Sequence, residues 1–190
     1  MRGIPPRNRD IEIGVSAANA LTPSQCERLI LLSEDPSNPV IKGRVQQTQS
    51  NVVDMTVRDV DVWVIHQDFD WVDDLIISEV RGQNDEIFQF QISGLMERPQ
   101  LLRYPKGGTY DWHVDIGQGD ASTRKLSISW ILNSGFEGGD IHFFQRGDVS
   151  ISFRQGQGCV FPSFIPHKVD RVTSGERWAL VAWISGTPFL

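Results

Sequence analysis

Residues 101–117 read LLRYPKGGTYDWHVDIG, and the centre of this stretch is His113-Val114-Asp115. Its two halves have strand character and are parted by Pro105-Lys106-Gly107-Gly108. Side chains alternate between the two faces of a strand. A histidine and an aspartate two apart in the second half therefore share one face. Such a pair is common by chance, and its meaning rests on what the surrounding chain supplies.

Outward from this stretch the texture is uniform. From about Phe88 onward, glycines punctuate short strands at 99–104, 109–115, 124–132, 139–144, 148–153, 157–161, 166–172 and 176–184. Short strands at such close spacing predict a sandwich or jelly roll. On the N-terminal side, Val60, Val62 and Val64 alternate with Asp61 and Trp63, a further strand. A helix is predicted from about Asp70 to Arg81, with acidic residues at its start to suit the helix dipole and Gly82 or Asn84 to end it. Thr22-Pro23-Ser24-Gln25 is a helix start: Thr caps, Pro takes the first position and Gln completes a capping box. That helix runs through Cys26, Leu29, Ile30 and Leu32 and fails before Pro36. Ile11–Val15 reads as a short strand after a loose arm over 1–10. The expected fold is mainly β with flanking N-terminal helices (α+β), a double-stranded β-helix or jelly roll. A single domain over 1–190 is expected, with 1–90 as helical and strand support and 91–190 as the jelly-roll core.

The bulk properties exclude several classes. The chain has 190 residues, with 18 Lys+Arg against 24 Asp+Glu and a net charge of −6, so it lacks the basic stripe of a nucleic-acid binder. Cys26 and Cys159 stand alone and fit no zinc spacing, which suits reduced thiols in a reducing, cytoplasmic setting. No apolar run reaches the ~20 residues of a membrane span, and the N-terminus has no apolar signal core. Nothing in the pattern reports oligomeric state.

The chemical candidates form one constellation. Tyr104, Gly107, Tyr110, His113 and Asp115 follow the spacing Y-x-x-G-x-x-Y-x-x-H-x-D. Phe161-Pro162-Ser163-Phe164-Ile165-Pro166-His167 adds a distant histidine, Arg177 follows ten residues later, and Trp183 lies beyond it. The two sheets of a jelly roll face each other across a narrow interior, so His167 can join His113 and Asp115. Two imidazoles and one carboxylate on one side of an ion form the facial set that holds Fe(II) and leaves open positions. An open iron takes a bidentate ligand, and the keto acid end of 2-oxoglutarate is one. Its far carboxylate then needs a partner, and a guanidinium forks two hydrogen bonds onto such a group. Arg177 is placed for this, and Tyr104 offers a hydroxyl donor.

These residues carry a resemblance. From about Pro99 to Leu190 the chain is similar to the Fe(II)/2-oxoglutarate dioxygenases of the prolyl 4-hydroxylase type, and within them to PKHD-type hydroxylases. The likeness rests on Tyr104, Gly107, Tyr110, His113-Val114-Asp115, Leu132-Asn133, Gly138-Gly139-Asp140, Pro162-Ser163, His167-Lys168-Val169, Gly175-Glu176-Arg177 and Trp183-Ile184-Ser185-Gly186. It implies His113, Asp115 and His167 as iron ligands. Arg177 would be the salt-bridge partner of 2-oxoglutarate, Tyr104 a co-substrate donor and Trp183 a pocket wall. It further implies O₂ as a reactant and ascorbate as a supporting reductant. The activity implied is hydroxylation of a C–H bond, of a prolyl residue in a peptide or protein, with 2-oxoglutarate decarboxylated to succinate. Hydroxylation of a free amino acid or other small molecule is the alternative, and a non-catalytic cupin-like binding module is the remaining one. Where oxygen-sensing members carry a tyrosine for 2-oxoglutarate, the corresponding strand here shows Ser127, Ser129 and Ile131, so the second partner of that carboxylate stays open. Asp115 disfavours halogenation, because related halogenases have a small residue there.

Plainer readings stand beside these. Arg177 can pair with Glu176 or Asp170, while Tyr104, Tyr110 and Trp183 can be core aromatics. Trp112 can pack or face substrate. His142, in a second Asp-x-His pair with Asp140, has no third ligand and reads as structural or surface, and His66 has no partner pattern. Substrate choice is assigned to the loops 43–58 and 116–123.

Overall fold

Alternation along two strands, β9 (Arg124–Ile131) and β16 (Arg177–Gly186), sets the architecture. Leu126, Ile128, Trp130, Leu180, Ala182 and Ile184 join one buried apolar cluster on the outer face of their sheet. Ser127, Ser129, Arg177 and Trp183 alternate with them and turn to the other side. The computed structural model describes residues 13–15, 20–42, 45–47, 50–52, 59–66, 69–145 and 147–188. The expected arm over 1–10, the first two residues of the 11–15 strand and most of the 43–58 loop lie outside them.

Among the described residues, fourteen further strands follow in chain order. Before β9 come β1 (Gly14–Val15), β2 (Ile41–Lys42), β3 (Val45–Gln47), β4 (Ser50–Val52), β5 (Asp61–Val64), β6 (Ile92–Leu95), β7 (Gln100–Tyr104) and β8 (Tyr110–His113). Between β9 and β16 lie β10 (Glu137–Gly138), β11 (Ile141–Phe144), β12 (Asp148–Ile151), β13 (Gly158–Pro162), β14 (His167–Val169) and β15 (Val172–Ser174). The larger sheet has the order β1-β13-β9-β16-β7-β5-β2, with β6 also paired to β16, and the smaller has the order β12-β11-β14-β8. From β7 onward the chain crosses repeatedly between the two, and both are antiparallel, which is the jelly-roll winding.

Two helices cover the outer face of the larger sheet. In α1 (Pro23–Ile30) Thr22 accepts from the Gln25 N–H while the Gln25 side chain accepts from the Thr22 N–H, closing the capping box. Cys26 and Leu29 of α1 are buried, as are Val72, Ile76 and Val80 of α2 (Asp70–Gln83). All five enter the same cluster as Leu126 and Trp130. Each such side chain removed from water contributes roughly 1.5–3 kcal/mol, which ties the helices to the sheet. Gly82 does not end α2. Asn84 caps it instead, bonding Phe90 through both its amide nitrogen and its carbonyl oxygen (3.0 Å each) across a π-turn.

Two expected boundaries are corrected. The strand predicted over 109–115 ends at His113, because the Asp115 and Ile116 N–H groups donate to the Ser163 carbonyl and leave the ladder. The strand predicted over 166–172 divides into β14 and β15, the latter forming a small ribbon with β10. Among the described residues, no helix is long and apolar enough to cross a membrane.

Candidate metal centre

His113 ends β8 and His167 begins β14, directly opposite each other in the ladder. Each imidazole is fixed from behind. His113 Nδ1 lies 2.8 Å from the Asp111 carbonyl and His167 Nδ1 lies 3.0 Å from the Ile165 carbonyl. A carbonyl accepts from N–H, so each ring donates from Nδ1 and leaves Nε2 as the nitrogen turned to the cleft. Both Nε2 atoms face Asp115, at 3.7 Å from Oδ1 for His113 and 3.6 Å from Oδ2 for His167. One ligand atom from each of the three residues fits within a 4.8 Å cluster. Tyr110 stacks on His113 at 3.6 Å, and Phe161 meets His167 edge-on at 4.7 Å.

Asp115 is held as an anion. Burial by itself would raise its pKa, but the imidazoles of His167 and His113 and donors from Ser127 and Trp183 together bring it below the usual carboxylate range. The Ser127 hydroxyl in turn lies 3.0 Å from that of Ser163. The backbone of Asp115 is pinned at both ends, its N–H to Ser163 and its carbonyl to Arg124 Nη1 at 3.0 Å.

The three residues open into a cleft that Tyr104, Tyr110, Ser129, Phe161 and Trp183 also line. Arg177 lies deeper. Its guanidinium sits 5.0 Å from the Tyr104 ring and lines an adjoining hollow with Gly139, Asp140 and Ile141, the last shared with the cleft. Arg177 is 2% exposed and forms no ion pair with a carboxylate among the described residues. Glu176 bonds Trp178 Nε1, and Asp170 pairs with Lys168 and His142, so neither is its counter-ion. Asp140 shares the hollow and supports the charge from beyond ion-pair distance, and a buried guanidinium with no direct ion pair is costly, so this position suits an incoming carboxylate. Gly139 makes room for it: with φ +69°, a Cβ there would stand 2.8 Å from Arg177 Cδ. Cys159, opposite Ser129 on the same inner face, is fully buried in the electrostatic reach of Arg177.

The remaining candidates lie elsewhere. Trp112 is 40% exposed on the outer face of the smaller sheet, edge-on to Phe144. His142 is on that same outer face, between Asp148 and Asp170. His66 is exposed. The surroundings of Asp115 include residues that pattern reasoning did not single out. Arg124 reaches it through a chain turn that no periodicity encodes, and Ser163, quoted above only within a motif, holds its N–H.

Known proteins resemble this chain in sequence and in fold. Residues 99–185 match the 2OG-Fe(II) oxygenase superfamily, whose metal and co-substrate are Fe(II) and 2-oxoglutarate. More particularly, the chain is 35% identical over 88 residues to a PKHD-type hydroxylase of Synechococcus sp. (strain CC9605), covering 44% of this chain and 40% of the relative. It is 30% identical over 117 residues to a PKHD-type hydroxylase of Sphingopyxis alaskensis, covering 57% and 53%. The chain thus spans about half the length of these curated relatives. Among solved structures, a Pseudomonas putida prolyl-4-hydroxylase superposes with a TM-score of 0.72 at 20% identity, covering 93% of this chain and 94% of that one. A Trichoplax adhaerens prolyl hydroxylase, in complex with a hypoxia inducible factor peptide fragment, gives 0.74 at 19%, covering 92% and 83%. The fold is therefore the jelly roll of the prolyl hydroxylases.

Proposed function

We propose that this protein is an Fe(II)- and 2-oxoglutarate-dependent oxygenase that hydroxylates a C–H bond of a prolyl residue in a peptide or protein. The observation that carries this reading is the pairing of two sites in one barrel. Three ligand atoms meet within 4.8 Å at the cleft, and a buried Arg177 that forms no direct ion pair among the described residues lies behind Tyr104. Two imidazoles and a carboxylate match ferrous iron, and the guanidinium matches the far carboxylate of a dicarboxylic keto acid. When bound, iron and 2-oxoglutarate supply the oxidation by O₂, the keto acid leaving as succinate and CO₂.

The chain's own residues then have assigned tasks. His113 and His167 present Nε2 because the Asp111 and Ile165 carbonyls hold their Nδ1 protons. Ser127 and Trp183 keep Asp115 ionised and aimed inward. Arg177 neutralises and orients the co-substrate, with Tyr104 adding a hydroxyl. Tyr110, Phe161 and Trp183 give the cleft apolar walls, which suit a pyrrolidine ring and shield the reaction from water. The prolyl target is supported by the relatives, among which are PKHD-type hydroxylases and prolyl hydroxylases.

Turnover with Fe(II), ascorbate and 2-oxoglutarate tests both parts. The expected result is succinate formation, together with a mass gain of one oxygen on a proline-containing peptide from a panel. Oxidation of free proline with every peptide unchanged moves the target to small molecules. Absence of succinate under all conditions, with iron bound, overturns the reading.

A further inference from the structure

Arg124 opens β9 at the point where the loop that leaves Asp115 returns to the sheet. Its planar guanidinium is engaged on every side. Nε and Nη2 fork onto the Glu97 carboxylate at 2.7 and 2.5 Å, and Nη1 donates to the Asp115 carbonyl at 3.0 Å. The flat face lies 3.9 Å from the centre of the Trp183 ring. Trp183 is itself a wall of the cleft and a donor toward the Asp115 carboxylate. Arg124 therefore meets Asp115 twice, directly at its backbone and through Trp183 at its side chain. An isolated ion pair near the surface contributes at most about 1 kcal/mol. This pair instead joins the turn before β7, the return of the 116–123 loop and a cleft-lining strand around one carboxylate.

We infer that Arg124, clamped by Glu97, is a positioning residue of the metal centre that sets the Asp115 carboxylate and the Trp183 wall as one unit. The inference rests on the proposed ferrous reading and extends it to residues outside the ligand set. A guanidinium is required because it forks to a carboxylate, donates to a carbonyl and stacks on an indole at the same time. A lysine ammonium keeps the charge and has no flat face or fork. Removing a group that orients a metal ligand typically lowers metal affinity 10–100-fold.

The test is anaerobic titration of the apo-protein with Co(II), followed by its visible d–d bands. It uses the unmodified chain, Arg124→Met, Arg124→Lys, Glu97→Gln and His113→Ala. The expected result is a roughly 10–100-fold weaker Kd and shifted bands for Arg124→Met, with a smaller loss for Arg124→Lys and about tenfold for Glu97→Gln. A purely structural ion pair would lower Tm and leave both Kd and bands in place. Unchanged Kd and bands in folded Arg124→Met overturn the inference. If that variant does not fold, unchanged values in both Arg124→Lys and Glu97→Gln do the same. His113→Ala separates the two levels. If it binds Co(II) like the unmodified chain, the metal centre itself is wrong and the inference falls with it. If only the His113 variant loses the ion, the centre stands and the Arg124 role is refuted.

Discussion

The smaller sheet carries histidine and aspartate on both of its faces, and the two groups are built to opposite ends. On the inner face, backbone carbonyls hold the Nδ1 side of His113 and His167, and the two Nε2 atoms converge on Asp115. On the outer face, His142 is bracketed by carboxylates, with Nδ1 2.7 Å from Asp148 and Nε2 2.8 Å from Asp170. Lys168 pairs with Asp170 there as well, at 2.8 Å. The outer histidine turns both ring nitrogens to carboxylates beside water, and neither is aimed at the cleft. The residue types are the same. What separates a ligand set from a surface salt bridge is which atom the backbone has already claimed.

The largest expected effect tests that contrast directly. His113→Ala, Asp115→Ala or His167→Ala should abolish Co(II) or Fe(II) binding and turnover, whereas His142→Ala should keep one ion bound per chain. Anaerobic titration with metal analysis reads the stoichiometry, and loss of the ion in His142→Ala would erase the distinction. Next in size is Arg177→Ala. It should raise the 2-oxoglutarate requirement by about ten- to hundredfold, the loss of charge-assisted hydrogen bonds of roughly 1.5–3 kcal/mol. Metal affinity should be unchanged, and saturation kinetics beside the same titration would detect any other division. Metal should also stabilise the fold through the inner site only. At a free concentration a hundredfold above Kd, the ion adds about 2.7 kcal/mol to the unfolding free energy. Calorimetry should show that gain intact in His142→Ala and gone in His167→Ala. The smallest effect belongs to the outer cluster, where His142→Ala should cost no more than about 1 kcal/mol in a denaturant titration.

Much of this arrangement was legible in the sequence, for identifiable reasons. Strand alternation and glycine spacing exposed most of the strands from β7 onward, and Thr22-Pro23-Ser24-Gln25 announced α1, because these signals are local. His113, Asp115 and His167 stood out because ligand chemistry restricts residue type. Boundaries fared worse where a tertiary bond decides them. Asp115 leaves the ladder for the Ser163 carbonyl, and Asp170-Arg171 breaks the 166–172 strand as the chain turns to pair with β10. Arg124 gave no signal, because its partners Glu97, Asp115 and Trp183 come from three separate segments. The isolation of Arg177 was invisible for the same reason: its neighbours Glu176 and Asp170 offered plausible counter-ions until their other partners were seen.

Cys159 has a bearing on durability. Burial pushes its thiol up to about 12, even with the Arg177 charge pulling the other way. At neutral pH the thiol therefore stays protonated, and the thiolate is the form that oxidants attack. The barrel that would admit dioxygen thus keeps its one inward sulfur, among the described residues, in its unreactive state. Iodoacetamide should leave Cys159 unlabelled in the folded chain and modify it on unfolding. Under the proposed activity, packing that fills the interior of the barrel would serve as protection against self-inflicted oxidation.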